Sequence, residues 1–152
     1  MRCCSELACS ADPRPPMRGR PRATSHHRLR SSRRPIVARV ENYSPGRVVV
    51  DGVELNRDVI VLPNRVLRSW WRREGHSLVI EDLEDVLDEL PERLIVGCGY
   101  SSRLEPDPSV IAALQKRGVK VEALPTEDAV ARFEELETRN PAAVAAALHL
   151  TC

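Results

Sequence analysis

The sequence predicts an α/β domain of three layers, with a central mixed sheet, helices on its faces and a small additional β-hairpin element. Two observations lead to this fold class. Short strand patterns separated by turn residues fill the first half of the region after residue 35, and strand and helix patterns alternate in the second half. Because the connections in the second half are short, we expect a largely parallel or mixed sheet with right-handed crossovers.

The first half has the pattern of a β-meander. Asp51-Gly52 tolerates the positive φ of a type I′ turn and predicts a hairpin, while Ser44-Pro45-Gly46 and Pro63-Asn64-Arg65 are turn signals. The predicted strands are 36–43, two strands within 47–55, 58–62 and 66–70.

The apolar spacing then becomes helical and predicts a helix over 81–89, which ends before Pro91 and has an acidic first turn. Asp107 and Pro108 form a good helix start, Gly118 is a C-cap, and Thr126 is expected to be an N-cap. The remaining predicted elements are a strand at 93–97, a helix at 108–117, a strand at 119–124, a helix at 126–138 and a strand at 144–150.

The charge of the chain divides it at residue 35. Residues 1–35 hold nine arginines against two acids, a net charge of +7, and the other residues carry −6. The first segment is rich in proline and lacks periodic apolar residues, so we predict a disordered basic extension at 1–35 and a single α/β domain at 36–152. Three interpretations of the extension stay open, namely a segment without function, a targeting peptide and a binding tail.

No run approaches the ~18–20 apolar residues that span a bilayer, and no apolar core of a secretory signal is visible near residue 1. We therefore expect a soluble, cytoplasmic protein with reduced thiols and no membrane insertion, the alternative being organelle targeting through the basic extension. The cysteines lack the paired spacing of a zinc site, so no metal or other cofactor is expected.

The turn after the predicted strand 93–97 is a candidate site. Gly97 and Gly99 suggest a dinucleotide-binding motif, but its third glycine is replaced by Ser102 and no helix opens inside it. Open α/β sheets still bind ligands at the carboxyl ends of their strands, so this turn is a candidate pocket or interaction site. The turn residues concerned are Gly97, Cys98, Gly99, Tyr100, Ser101 and Arg103.

A second candidate segment runs from Trp70 to His76 and holds both tryptophans of the chain, with Arg72 beside them. Successive strand residues face opposite ways, so one of Trp70 and Trp71 is expected in the core and the other at the surface. An exposed aromatic residue next to arginine is typical of protein contacts. Nucleic acid is not expected to bind the folded part, because that part is net acidic.

No residue pattern identifies a catalytic site. Past residue 35 the histidines are His76 and His149, and no known nucleophile motif accompanies them. Cys98 with either histidine is conceivable as a thiol-based site, although a buried apolar role for Cys98 and structural roles for the histidines are the simpler interpretations.

Five blocks carry a family resemblance: Asp58-Val-Ile-Val-Leu-Pro63, Ser69-Trp-Trp-Arg-Arg-Glu-Gly-His76, Leu94-Ile-Val-Gly-Cys-Gly-Tyr-Ser101, Leu124-Pro-Thr126 and Ala147-Leu-His-Leu-Thr-Cys152. Together they resemble the small α/β domain family of unknown function shared by many prokaryotic proteins, the adipogenesis-associated domain-containing protein and mitochondrial complex I assembly factor 3. The resemblance covers about 36–152 and implies the three-layer fold and no established catalytic residues. The mitochondrial relative implies a role in protein contacts. Cys98 stands where a threonine is common, and Ser102 where a glycine is common.

Two hypotheses follow. The first is a non-catalytic protein-interaction or assembly module whose partner is another protein, and a homo-oligomer is left open. The alternative is a small-molecule or anion-binding pocket, with or without thiol-dependent chemistry, at the turn from Gly97 to Arg103.

Overall fold

The computed structural model describes residues 38–152. The predicted extension at 1–35 lies outside these residues, as does the start of the predicted strand 36–43. The strands are β1 (Val40–Ser44), β2 (Arg47–Val50), β3 (Val53–Leu55), β4 (Val59–Val61), β5 (Val66–Arg68), β6 (Ser77–Leu78), β7 (Arg93–Cys98), β8 (Glu105–Pro106), β9 (Lys120–Leu124) and β10 (Val144–His149), and the α-helices are α1 (Pro108–Lys116) and α2 (Thr126–Arg139).

A mixed five-stranded sheet of order β5-β4-β10-β7-β9 forms the centre of the fold. β7 is parallel to both β10 and β9, whereas β4 is antiparallel to β10 and to β5. A three-stranded sheet, β1-β2-β3, and a two-stranded pair, β6-β8, complete the topology of the described residues. The predicted mixed sheet with helices and an added hairpin is therefore confirmed.

Two apolar clusters, one on each face of the central sheet, make up the core. Alternate residues of β10 supply both, with Ala145 and Ala147 facing α1 and the segment after β6, and with Ala146 and Leu148 facing α2 and the β1-β2 hairpin. Because these strand residues are mostly alanine, the covering elements can approach the sheet closely.

Local signals predicted several boundaries correctly. Asp51 and Gly52 have φ values of 51° and 74°, so both central residues of the β2-β3 turn have the positive φ that was expected. Asp107 caps α1 by accepting a hydrogen bond from the Ser109 N–H at 2.8 Å.

The predicted helix over 81–89 is wrong. The segment forms two short 3₁₀ turns, Ile80–Leu83 and Leu87–Glu89. The indole N–H of Trp70 donates to the carbonyl of Asp82 at 2.8 Å, and an α-helix would need that oxygen for the N–H of Val86. Val86 instead donates to Leu83 at 3.0 Å, which is the 3₁₀ pattern.

The predicted N-cap at Thr126 is also wrong, because Pro125 takes the cap position of α2. The Thr126 side chain is fully buried and bonds to neighbouring strands instead. Among residues 38–152, neither α-helix is long and apolar enough to cross a bilayer.

Candidate functional site

The two predicted site segments meet at one edge of the central sheet. β7 and β10 run parallel and end side by side at Cys98 and His149, and we call this end of the sheet the carboxyl edge. The segment after β7 joins the segment after Trp70 through the β6-β8 pair, in which the Glu105 N–H donates to the His76 carbonyl at 3.0 Å. The interaction and pocket roles of these residues stay predictions, but the proximity of the two segments is a feature of the fold.

Other residues of the chain pack directly against the turn at Gly97 and Gly99. A Cβ at Gly97 would lie 2.9 Å from Thr126 Oγ1, and a Cβ at Gly99, where φ is 91°, would overlap the backbone of Thr151 and Cys152. Thr126 Oγ1 accepts from the Gly99 N–H at 2.8 Å and donates to the His149 carbonyl at 2.6 Å. These glycines therefore allow close packing at the carboxyl edge and do not line an open space.

Cys98 belongs to the core. It is 6% exposed, and its thiol donates to the Val96 carbonyl at 3.8 Å. Burial raises the pKa of the Cys98 thiol above its ordinary value, which leaves the side chain protonated and weakly nucleophilic at neutral pH. The geometry thus favours the apolar interpretation of Cys98 over thiol chemistry.

The rest of the turn faces outward. Tyr100 is 59% exposed, and Ser101 and Arg103 are also exposed. The Arg103 side chain has no ion pair within residues 38–152, although its N–H donates to the Cys152 carbonyl at 3.3 Å. Ser102 has a φ of 53°, in the region that favours glycine, which is the residue that the family resemblance places there.

One tryptophan lies in the core and the other at the surface, as predicted, but both follow the end of β5 at Arg68, so strand alternation is not the cause. Trp70 is 6% exposed and Trp71 is 75% exposed. Trp70 is fixed by the bond from its indole N–H to Asp82, and the guanidinium carbon of Arg72 lies 5.1 Å from the centre of its ring. His76 is exposed.

A buried polar junction, which consists of Asp58, Arg72 and His149, lies at the carboxyl edge. Asp58 Oδ2 is 2.7 Å from Arg72 Nη2 and 2.9 Å from His149 Nδ1, and Asp58 Oδ1 accepts from the Leu150 N–H at 2.9 Å. The side chains of Arg72 and His149 are 6% and 5% exposed. The polar junction therefore ties the start of β4 and the segment after β5 to the end of β10.

The carboxylate of Asp58 is the charge that holds the polar junction together. Burial alone would raise its pKa, but the hydrogen bonds from His149 and the Leu150 N–H and the charge of Arg72 outweigh that cost. The pKa of Asp58 is consequently held below its ordinary 3.8.

Three nitrogen atoms of the polar junction have no hydrogen-bond partner within residues 38–152. Arg72 Nε, Arg72 Nη1 and His149 Nε2 are inaccessible to solvent and have no hydrogen-bond partner among the described residues. Arg72 Nη2 also lies 2.9 Å from His149 Nδ1, which accepts a hydrogen bond from Arg72 in one imidazole tautomer and donates one to Asp58 in the other. Sequence reasoning named Arg72 but missed Asp58 and the bonded role of His149, because nothing in the local pattern around either residue marks it as a partner of Arg72.

The Trp71 groove lies on the α1 face of the sheet, with a volume of about 300 Å³. Leu67, Trp70 and Trp71 provide its apolar surface. Its charged lining consists of Arg73 and four acids, Glu81, Asp82, Glu84 and Asp85. The Asp82 carboxylate accepts backbone bonds from Arg73 and Val79, whereas the other three acids are without an ion pair in the described part of the chain.

The Tyr100 cavity lies on the opposite, α2 face and has a volume of about 210 Å³. Two tyrosines, two prolines, Ser44 and two acids line it; the aromatic and acidic members are Tyr43, Tyr100, Glu127 and Asp128. Burial raises the pKa of Tyr43; the nearby Thr126 hydroxyl offsets part of that rise, and the Glu127 carboxylate adds to it. Sequence reasoning missed Tyr43, Glu127 and Asp128, since they come from elements far from Tyr100 in the chain. A wider cleft of about 770 Å³ lies near Arg39 and Glu137 and contains none of the predicted site residues.

Comparison with known proteins agrees with the fold. Residues 40–149 match the model of a family described as Protein of unknown function (DUF498/DUF598). Among solved structures, a conserved hypothetical protein from Pyrococcus horikoshii OT3 is 28% identical, with a TM-score of 0.65 over 75% of this chain and 99% of that one.

Two further structures share the fold at lower identity. A Bordetella pertussis protein described as an Mth938-like domain is 22% identical, with a TM-score of 0.59 over 75% of this chain and 86% of that one. A Bartonella henselae protein described as an outer membrane protein is 23% identical, with a TM-score of 0.64 over 76% and 96%. The predicted resemblance to a small α/β family of unknown function is thereby confirmed.

Proposed function

This chain belongs to the family described as Protein of unknown function (DUF498/DUF598), and from that premise we propose that it is a non-catalytic protein-binding module whose contact surface is the Trp71 groove. The observation that carries the proposal is the exposure of Trp71, 75% of whose surface is open beside a groove. Tryptophan is costly to leave in water and is enriched where proteins bind one another.

The rigid support of the groove favours binding. Trp70 is anchored by Asp82, and Asp82 is itself fixed by two backbone N–H groups, at 3.0 Å from Arg73 and 3.1 Å from Val79. A groove with a fixed floor loses little conformational entropy when a partner docks. This arrangement supports an assembly role of the kind that the family resemblance implies.

The alternative of a thiol-dependent site at the turn has less support. Cys98 is buried with a raised pKa, and the space beside Gly97 and Gly99 is occupied by Thr126, Thr151 and Cys152. A homo-oligomer through an open sheet edge, such as β5 or β9, stays a prediction.

The test is native mass spectrometry of the full chain isolated gently from its own cell extract. We expect a stoichiometric protein partner on the unaltered chain and its loss from Trp71→Ala. Val53→Ala is the matched control, because Val53 is an exposed apolar residue, 40% accessible, on the separate β1-β2-β3 sheet. Retention of the same partner by Trp71→Ala, or loss of it from both variants, would contradict the proposal.

A further inference from the structure

We propose that the partner of the Trp71 groove is a basic polypeptide segment that carries apolar side chains between its lysines or arginines. This inference rests on the proposed function, because it concerns the same groove and adds the chemistry of the occupant. Two features of the groove carry it, an open aromatic surface and a negative charge that the single arginine of the lining only partly offsets.

The charge of the groove selects a cationic partner. Four acids and one arginine line it, which gives a formal charge of −3. The carboxylates of Glu81, Glu84 and Asp85 are exposed and have no ion pair among residues 38–152. Arg65 reaches this segment through a bond to the Asp85 carbonyl, but its guanidinium is paired with Glu89 at 2.7 Å. The charge of the three carboxylates is therefore free to attract the cations of a partner.

The open surface of Trp71 adds a second, independent requirement. With 75% of the residue exposed, the two faces of its indole ring cannot both be covered by the chain. An indole face attracts lysine and arginine side chains, and it also packs against apolar ones. Leu67 extends the apolar surface of the groove. A partner that combines cationic and apolar side chains therefore matches the ring and the carboxylates together.

The charge of the groove also argues against other occupants. A second copy that placed its own groove on this one would bring two formal charges of −3 together. Nucleic acid and anionic lipid carry negative phosphates and would be repelled for the same reason. A wholly apolar segment would take water away from the carboxylates without replacing it by a donor. A basic segment with apolar side chains avoids each of these costs.

The probes for the test are three capped pentapeptides, titrated into the ¹⁵N-labelled full chain. They are acetyl-Arg-Leu-Arg-Leu-Arg-amide and its counterparts with glutamine or glutamate in place of arginine. We expect saturable shifts of the Trp71 and Glu84 amide signals by the arginine peptide, with a Kd of about 1 mM. The glutamine peptide should bind about tenfold more weakly, and the glutamate peptide should not saturate the signals.

Salt provides a measurement on the unaltered chain. The carboxylates are exposed, so their attraction for a cation is screened when the ionic strength rises. At about 1 M salt, where the screening length is about 3 Å, the arginine peptide should bind about tenfold more weakly than at low salt. The glutamine peptide is the control, and its Kd should not rise with salt.

Two triple variants, each of which removes three negative charges, locate the site. The groove variant keeps Trp71 and should weaken the arginine peptide about tenfold. The control variant is altered on α2, which covers the other face of the central sheet, and should bind normally. The substitutions are Glu81→Gln, Glu84→Gln and Asp85→Asn in the groove variant and Glu127→Gln, Asp128→Asn and Glu134→Gln in the control. Thermal melting establishes that both variants are folded, and the salt titration carries the test if the groove variant unfolds.

Four outcomes would overturn the inference. They are no saturable shifts by the arginine peptide at about 10 mM, equal binding of the arginine and glutamine peptides, and unchanged binding by a folded groove variant. The fourth is a shift of the groove signals with protein concentration alone, which would assign the groove to a second copy of the chain.

The cell-extract experiment separates this inference from the proposed function. If Trp71→Ala loses the native partner while the arginine and glutamine peptides bind alike, the groove binds a protein and the basic nature of that protein is refuted. If Trp71→Ala retains the native partner, the proposed function fails, and the inference that rests on it fails with it.

Discussion

At the carboxyl edge, buried residues that support the fold and exposed residues that form the surface are direct neighbours in the sequence. Trp70 and Arg72 are buried and hold β4, β10 and the 3₁₀ turns together, while Trp71, which lies between them, is 75% exposed. Likewise Gly99 fits against Thr151 and Cys152, while the adjacent Tyr100 points outward. A functional surface can therefore change at Trp71 and Tyr100 without altering the support beneath it.

Asp58→Asn should have the largest effect on the buried side of the carboxyl edge. We expect the free energy of unfolding to fall by about 3–5 kcal/mol, because the buried charge of Arg72 loses its counter-charge. Denaturant titration measures it. The matched control is Glu54→Gln, which removes an ion pair to Arg47 whose side chains are each 51% exposed. That change should cost no more than about 1 kcal/mol. Equal effects of the two variants would refute a structural role for the polar junction.

Removing the Thr126 hydroxyl should have the next largest effect. Thr126→Val leaves the Gly99 N–H and the His149 carbonyl without their partner, so we expect a loss of about 1–3 kcal/mol. Thr138→Val is the control, since its hydroxyl bonds only to the Glu134 carbonyl on an exposed helix surface. If the two variants melt at the same temperature, the Thr126 bonds do not support the carboxyl edge.

Acid should weaken the polar junction less than Asp58→Asn does, because both oxygens of a protonated carboxyl group keep lone pairs for the surrounding N–H groups, whereas asparagine replaces one oxygen with an NH2 donor. The folded pKa of Asp58 is below 3.8, so its contribution is fully present above pH 3.8 and is lost as the pH falls through the lower folded value. The measurement is unfolding free energy against pH for the unaltered chain and for Asp58→Asn. The loss of unfolding free energy that protonation of Asp58 causes at low pH should be missing from Asp58→Asn. If the unfolding free energy of both proteins falls with the same slope against pH, the effect does not come from Asp58.

The smallest expected effect on stability is that of Trp71→Ala. Because Trp71 is mostly exposed, the free energy of unfolding should change by no more than about 0.5 kcal/mol. Trp70→Ala, in contrast, should cost about 3–5 kcal/mol through lost packing. A large loss for Trp71→Ala in the melting curve would show that the groove residue is structural.

Local patterns were sufficient to predict most of the fold. The apolar runs of β4 and β7, the Asp51-Gly52 turn and the Asp107 cap each depend on residues within a few positions of one another. The helix over 81–89 failed because a distant side chain, that of Trp70, takes a carbonyl that the helix needs. Such competition has no local signature.

Only the part of the candidate site that has a local sequence signal was predicted. Trp71 and Tyr100 stand out as rare aromatic residues, and both prove to be exposed. The partners within the polar junction are 14, 77 and 91 positions apart in the chain, so their meeting depends on the completed sheet. The acids of the Tyr100 cavity looked like ordinary first-turn residues of α2.

The position of β10 has a consequence for biosynthesis. It follows the other nine described strands in the sequence, yet it is the strand that joins the β5-β4 pair to the β7-β9 pair. Until residues 144–149 have left the ribosome, β4 and β7 are unpaired edge strands on the sides that β10 later covers. Unpaired edge strands can pair with strands of other proteins. The nascent protein is thus most vulnerable to aggregation in the interval before β10 has left the ribosome, when a chaperone would protect it most.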